Sequence, residues 1–207
     1  LPELEPFCQP VLADGKVRFV GEAMAVVVAE TAALAEDALD HIDVEIDPLP
    51  VIADRAGAEA AEAVLFEAHE SNVAIEWTAV RGDADKAFGE ADYVRRETFR
   101  VQRHAALFME PRGFVAKWDD AKQHLTLWGA AKVAFANRKI LAGAMGLSEQ
   151  QIHMVEVDVG GGFGSRGEFY PEDFLIPFAA RFLDQPVKWI EDRREHLMTA
   201  NHAREIE

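Results

Sequence analysis

The residues best suited to chemistry lie in one string, Val157-Asp158-Val159-Gly160-Gly161-Gly162-Phe163-Gly164-Ser165-Arg166. Three successive glycines behind a strand-like run remove side chains, so the backbone can approach another group closely. Exposed N–H groups in such a turn form a concavity suited to an anion. Arg166 adds a planar, permanently charged fork, and Phe163, held between glycines, could wall a small planar substrate or back a metal centre. The same residues also admit a dinucleotide reading: Gly162-Phe163-Gly164-Ser165-Arg166-Gly167 spells Gly-x-Gly-x-x-Gly, and Glu191 ends the next strand about twenty residues on. A dinucleotide fold starts its helix inside the glycine motif, so that the helix N-terminus meets the pyrophosphate. Here the helix pattern starts at Pro171, beyond Gly167. The onset of that helix therefore separates the two readings, and a strand-to-helix turn without a ligand is the third.

Other polar residues are weighed the same way. Glu110, Pro111 and Arg112 are explained by an internal salt bridge at a strand start. His153 lies in a strand and reads as a satisfied histidine; His196 and His202 lack zinc-type spacing, so no metal site is assigned to them. The single cysteine, Cys8, rules out a disulfide framework, a cysteine zinc site or an iron–sulfur cluster within this chain. The net charge of −16 argues against nucleic acid and anionic membrane surfaces as partners, since both require basic patches. Apolar residues make up 49% of the 207, enough for a packed core, and no apolar run reaches the ~18 residues of a membrane span.

These residues need elements to hold them. The pattern predicts strands at 17–20, 23–29, 42–46, 73–77 and 93–101, and a helix over 32–40 capped by Thr31. Residues 56–72, rich in alanine and glutamate, read as a linker. Arg81-Gly82-Asp83 reads as a turn leading into a helix that Asp83 caps. A hairpin over 113–128 follows, then a helix over 133–145 closed by Gly146, and a strand over 152–159 that leads into the glycine loop. Pro171 suits the first turn of a helix to about 183, Val187 to Ile190 a buried strand, and Asp192 the cap of a last helix. Trp118, Trp128 and Trp189 are expected in the core.

The glycine loop does not stand alone. Together with Tyr170-Pro171-Glu172-Asp173, Gln185-Pro186-Val187-Lys188-Trp189, the run from Glu191 to Leu197 and Asn201-His202-Ala203-Arg204-Glu205, it resembles the large subunits of the xanthine dehydrogenase, aldehyde oxidase and carbon monoxide dehydrogenase family. Met109-Glu110-Pro111-Arg112-Gly113 resembles that family's signature ahead of its first cofactor-domain hairpin. Val17-Arg18-Phe19-Val20-Gly21-Glu22 and the run from Val44 to Pro50 resemble its α/β hammerhead domain. The motifs fall in the family's order along nearly the whole chain.

The resemblance implies a molybdenum hydroxylase that oxidises an aldehyde, an aromatic heterocycle or carbon monoxide with oxygen drawn from water. It implies a molybdenum–molybdopterin cofactor, in some members in its cytosine dinucleotide form, bound by Gly161, Gly162, Phe163, Gly164, Ser165 and Arg166. His104, Phe163 and Glu168 fall on the substrate pocket. A glutamine that faces the metal in many members is replaced at this position by His104, with Gln102 close by. The substrate-binding glutamate of xanthine-type members would follow Arg166 directly; Gly167 stands there, with Glu168 one further on, which argues against a purine substrate. The family's catalytic base lies near the subunit's C-terminus, so no catalytic residue is assigned here and the segment by itself is expected to be inactive. The implied partners are the rest of the large subunit, a subunit bearing 2Fe–2S clusters, an FAD or cytochrome subunit and a small-molecule substrate, in the cytoplasm.

The expected fold is α+β: an α/β hammerhead portion over 1–58, a linker over 59–74, and the first part of a molybdopterin-binding domain over 75–207, the whole read as an internal piece of a longer chain. A NAD(P)-binding oxidoreductase domain and a cofactor-free interaction domain are the two other classes.

Overall fold

The computed structural model describes residues 2–61, 63–129 and 133–206. The chain divides into two compact units, one made of Leu1–Gln9, Val44–Val101 and Glu205–Glu207, the other of Pro10–Asp43 and Gln102–Arg204.

The second unit holds the only β-sheet found among the described residues. Its strands are β1 (Gly113–Asp119), β2 (His124–Gly129), β3 (Ile152–Val155) and β4 (Val187–Ile190), in the order β3-β2-β1-β4. Strands β1 and β2 form the expected hairpin, with Trp118 opposite Leu125 and Phe114 opposite Gly129. Gly129 has to be glycine, because a β-carbon there would lie 2.5 Å from the Phe114 ring. Strand β3 runs parallel to β2, and β4 antiparallel to β1. Alternation along β1 and β2 turns Phe114, Ala116, Trp118, Leu125 and Leu127 to one face. The helices labelled α4 (Ala134–Met145) and α5 (Pro171–Leu183) cover that face with Leu141, Ala142, Ile176, Ala179 and Ala180. Trp118 is core as expected and Trp189 packs against it, but Trp128 is only half buried. The reason is the period of two: Trp128 follows the buried Leu127 and so projects from the other face.

The capping signals are met. In α1 (Ala32–Leu39) the Thr31 hydroxyl accepts from the Leu34 N–H at 3.2 Å. In the first unit, α2 (Arg55–Ala60) is capped by Asp54, and α3 (Ala84–Glu90) by Asp83, which accepts from the Lys86 N–H at 2.9 Å. Gly146 closes α4 at φ 64°, a left-handed position that glycine takes without strain. Asp173 Oδ2 reaches back from the first turn of α5 to the Tyr170 N–H at 2.8 Å, and Asp192 caps α6 (Arg193–Thr199).

The strands expected at 17–20, 23–29, 42–46 and 73–77 do not form a hydrogen-bonded ladder, and the one expected at 93–101 is reduced to a bridge between Val101 and Ile206. An alternating pattern specifies an apolar face, but a strand also needs a neighbour for its backbone N–H and C=O groups. The strand expected at 152–159 stops at Val155, where its pairing with Trp128 of β2 ends. The linker stretch 56–72 contains most of α2 and a single 3-10 turn, Glu67–His69.

Candidate cofactor loop

The loop runs from the end of β3 to the start of α5. Gly161 and Gly164 take φ 101° and 95°, and Phe163 lies at φ 45°. The first two values exclude ordinary side chains, while Phe163 accepts a left-handed conformation that costs of order 1–3 kcal/mol. The residue is 77% exposed. The loop therefore offers the aromatic outward and does not pack it. Among the described residues, the N–H groups of Gly161, Gly162, Phe163 and Gly164 meet no protein acceptor, whereas those of Ser165 and Gly167 close onto Gly162 and Gly164 at 2.9 and 3.1 Å. Successive unpaired backbone donors beside a presented aromatic suit oxygen atoms of a bound anionic group.

The segment 108–111 lies against the underside of the loop. A β-carbon at Gly160 would come within 2.5 Å of Glu110 Cβ, and one at Gly161 within 3.1 Å of Phe108 Cβ. The Gly160 N–H donates to Glu110 Oε2 at 2.6 Å, and the same oxygen lies 3.0 Å from Arg166 Nη2. Arg166 is buried. Its guanidinium donates to the carbonyls of Glu110 and Pro111 and stacks 4.4 Å from the centre of the Phe108 ring. Burial pushes its pKa down, against the attraction of Glu110. Arg166 thus faces the protein and clamps the loop's exit. Ser165, also buried, lies 2.8 Å from the Tyr170 hydroxyl, which donates in turn to the Ser165 carbonyl at 3.0 Å. Sequence reasoning missed Phe108, because an aromatic in an apolar run carries no sign that a loop will rest on it, and it took Tyr170 only as part of a motif, without its contact to Ser165.

Glu168 is exposed and lines a shallow cleft with Arg112, Asn137, Arg166, Tyr170 and Asp173. His104 is exposed too. Its Nδ1 lies 3.2 Å from the Gln102 carbonyl and its own carbonyl accepts from the Ala203 N–H at 2.9 Å. Among the described residues it makes no hydrogen bond to the glycine loop, so the structure brings together residues 161–166 and 168 but does not join His104 to them.

Beneath the loop's approach lies a buried ion-pair network. Arg112 Nη2 donates to Glu191 Oε1 at 2.6 Å and Nη1 to Glu172 Oε2 at 3.3 Å. Burial opposes the Arg112 charge, yet the hydrogen bond to Glu191 and the charges of Glu172 and Glu191 raise its pKa overall. His196 Nδ1 lies 3.1 Å from Glu191 Oε2 and Nε2 3.3 Å from the Ala106 carbonyl. The salt bridge expected at the strand start is present.

That network also overturns the dinucleotide reading. Glu191, the acid that a ribose would need, is 1% exposed and fully engaged by Arg112 and His196. The motif contains a single 3-10 turn, Ser165–Gly167, but Glu168 (ψ 159°) and Tyr170 (ψ 165°) return to extended backbone and the α-helix starts only at Pro171. Moreover, β4 pairs with β1, two strands away from β3 in the sheet, so β3-α5-β4 does not build adjacent parallel strands.

Residues 65–207 match the family model for the molybdopterin cofactor-binding domain, and residues 3–50 that for the a/b hammerhead domain of aldehyde oxidase and xanthine dehydrogenase. The gamma subunit of the 6-hydroxypseudooxynicotine dehydrogenase complex of Paenarthrobacter nicotinovorans is 39% identical over 203 residues, covering 98% of this chain and 25% of that protein. The carbon monoxide dehydrogenase large chain of Afipia carboxidovorans is 34% identical over 221 residues, covering 99% and 27%. Among solved structures, quinoline 2-oxidoreductase from Pseudomonas putida 86 superimposes with a TM-score of 0.89 at 38% identity, over 95% of this chain and 25% of that one. The chain thus spans about a quarter of the length of these relatives.

Proposed function

This chain belongs to the molybdopterin-binding large subunits of the aldehyde oxidase and xanthine dehydrogenase family, and from that premise we propose that it forms the hammerhead portion and the first part of the cofactor domain of a molybdenum hydroxylase. The proposed division is 1–58, a linker over 59–74, and 75–207. The whole subunit would oxidise an aldehyde, an aromatic heterocycle or carbon monoxide, in the cytoplasm, passing electrons to a 2Fe–2S subunit and on to an FAD or cytochrome subunit. When bound, molybdenum held by the pterin, in its plain or cytosine dinucleotide form, supplies the oxidation and activates water.

The chain's own part is to bind and orient. The single observation that carries this reading is the run of unpaired N–H groups from Gly161 to Gly164 around an exposed Phe163. Oxygen atoms of the cofactor would satisfy those donors. Glycine is needed on the underside, where a β-carbon at Gly161 would meet Phe108. Ser165 and Arg166 serve by fixing the loop's exit through Tyr170 and the 110–111 carbonyls. Phe163, Glu168 and His104 would line the substrate side, with Phe163 excluding water from one wall. The catalytic base is proposed to lie outside these residues.

Mass spectrometry for molybdenum, combined with the fluorescent pterin released by acid oxidation, tests this on the complex containing the chain. Near-stoichiometric molybdenum with pterin is expected. Neither one, from a host able to make the cofactor, would sink the reading in favour of a cofactor-free interaction domain.

A further inference from the structure

We propose that Glu110 is a positioning residue for the cofactor loop: by accepting the Gly160 N–H it fixes where the following donors and Phe163 are presented. The role of those donors rests on the function proposed above; the latch itself rests on geometry. Glu110 Oε2 takes the Gly160 N–H at 2.6 Å and Arg166 Nη2 at 3.0 Å, so one carboxylate oxygen ties the residue that opens the loop to the one that closes it. The contact is close enough that only glycine fits at 160, since a β-carbon would meet Glu110 Cβ at 2.5 Å. Arg166 cannot hold the loop's start in its place. It lies beyond Gly164, and its Nη2 is spent on Glu110 and the Pro111 carbonyl. From Gly161 to Gly164, the N–H groups have no protein acceptor among the described residues. Gly160 is therefore where an acceptor from outside the loop fixes the backbone ahead of them. A charged acceptor makes the stronger kind of hydrogen bond.

The test uses the full-length large subunit in its complex. In Glu110→Ala, amide exchange in the peptide spanning 157–166 should rise about tenfold, the loss of roughly one hydrogen bond. Exchange in β1 (Gly113–Asp119) should stay unchanged. The molybdenum(V) resonance of the dithionite-reduced complex should change in shape at wild-type molybdenum content. Glu110→Gln keeps an acceptor oxygen and should restore both readouts, which a residue important only for folding would not show. Gly160→Ala, which forces the loop off Glu110, should reproduce the alanine phenotype and serves if Glu110→Ala does not accumulate. Wild-type exchange and an unaltered resonance in Glu110→Ala or Gly160→Ala would overturn the proposal, as would failure of Glu110→Gln to rescue. If the wild-type complex lacks molybdenum and pterin, the cofactor reading fails, while the exchange data still decide whether the latch exists.

Discussion

Residues 42–46 and 124–129 carry nearly the same alternation of apolar and polar side chains, and they meet opposite fates. Leu125 and Leu127 are at most 2% exposed, in a strand paired on both edges and covered by α4 and α5. Val44 and Ile46 are 52% and 60% exposed and join no sheet. The difference teaches that alternation prepares an apolar face but does not bury it. Burial comes from a strand on each side and a helix above, and among the described residues only 113–190 supplies those.

The contrast can be broken most severely at the ion-pair network that anchors β1 and β4. Arg112→Ala leaves Glu191 buried with its main counter-charge gone and should cost about 3–5 kcal/mol of unfolding free energy by urea denaturation. Replacing Arg112, Glu172 and Glu191 together by apolar residues of similar volume should cost far less, because no carboxylate is then left without its counter-charge. A matched pair of truncations sharpens the comparison: Leu127→Ala should lose about 2–5 kcal/mol, and Val44→Ala only about 0.5 kcal/mol or less. Equal losses in the same denaturation series would mean that the two regions are packed alike.

The last effect is pH-dependent. Burial, opposed by the Tyr170 N–H and the Arg112 charge, pushes the Asp173 carboxyl up to about 7 from an ordinary 3.8. A folded-state value above the unfolded one means that the folded chain holds the proton more tightly. The contribution of Asp173 is then greatest at low pH and falls as the pH rises from about 4 to about 7. Asp173→Asn keeps the cap acceptor and cannot titrate, so its melting temperature should gain on wild type across that window. Parallel melting curves from pH 4 to pH 7 would show that Asp173 ionises without penalty.

Much of the sheet unit was legible because its signals are local. Thr31, Asp192 and Pro171 announce helix starts there through the hydrogen bonds or ring geometry that a first turn requires, as Asp83 does in the other unit. The Asp119-to-Gln123 turn announces the hairpin. The candidate loop was legible because glycine, phenylalanine and arginine are an unusual combination there. What was not legible was direction. Arg166 read as a charge offered to a ligand, and the fold turns it inward against Phe108 and the 110–111 carbonyls. Glu191 had the spacing of a ribose-binding acid, and Arg112 and His196 claim it.

The sequence by itself determined the starts of the helices other than α2, the hairpin, the family and the place of the glycine loop, since each is written in neighbouring residues or in motif order. Only the tertiary structure decided which apolar runs become strands, where Arg166 points, and that Glu110 meets Gly160. Those outcomes depend on partners far along the chain, and a backbone donor or a buried charge settles wherever the fold brings it a matching group.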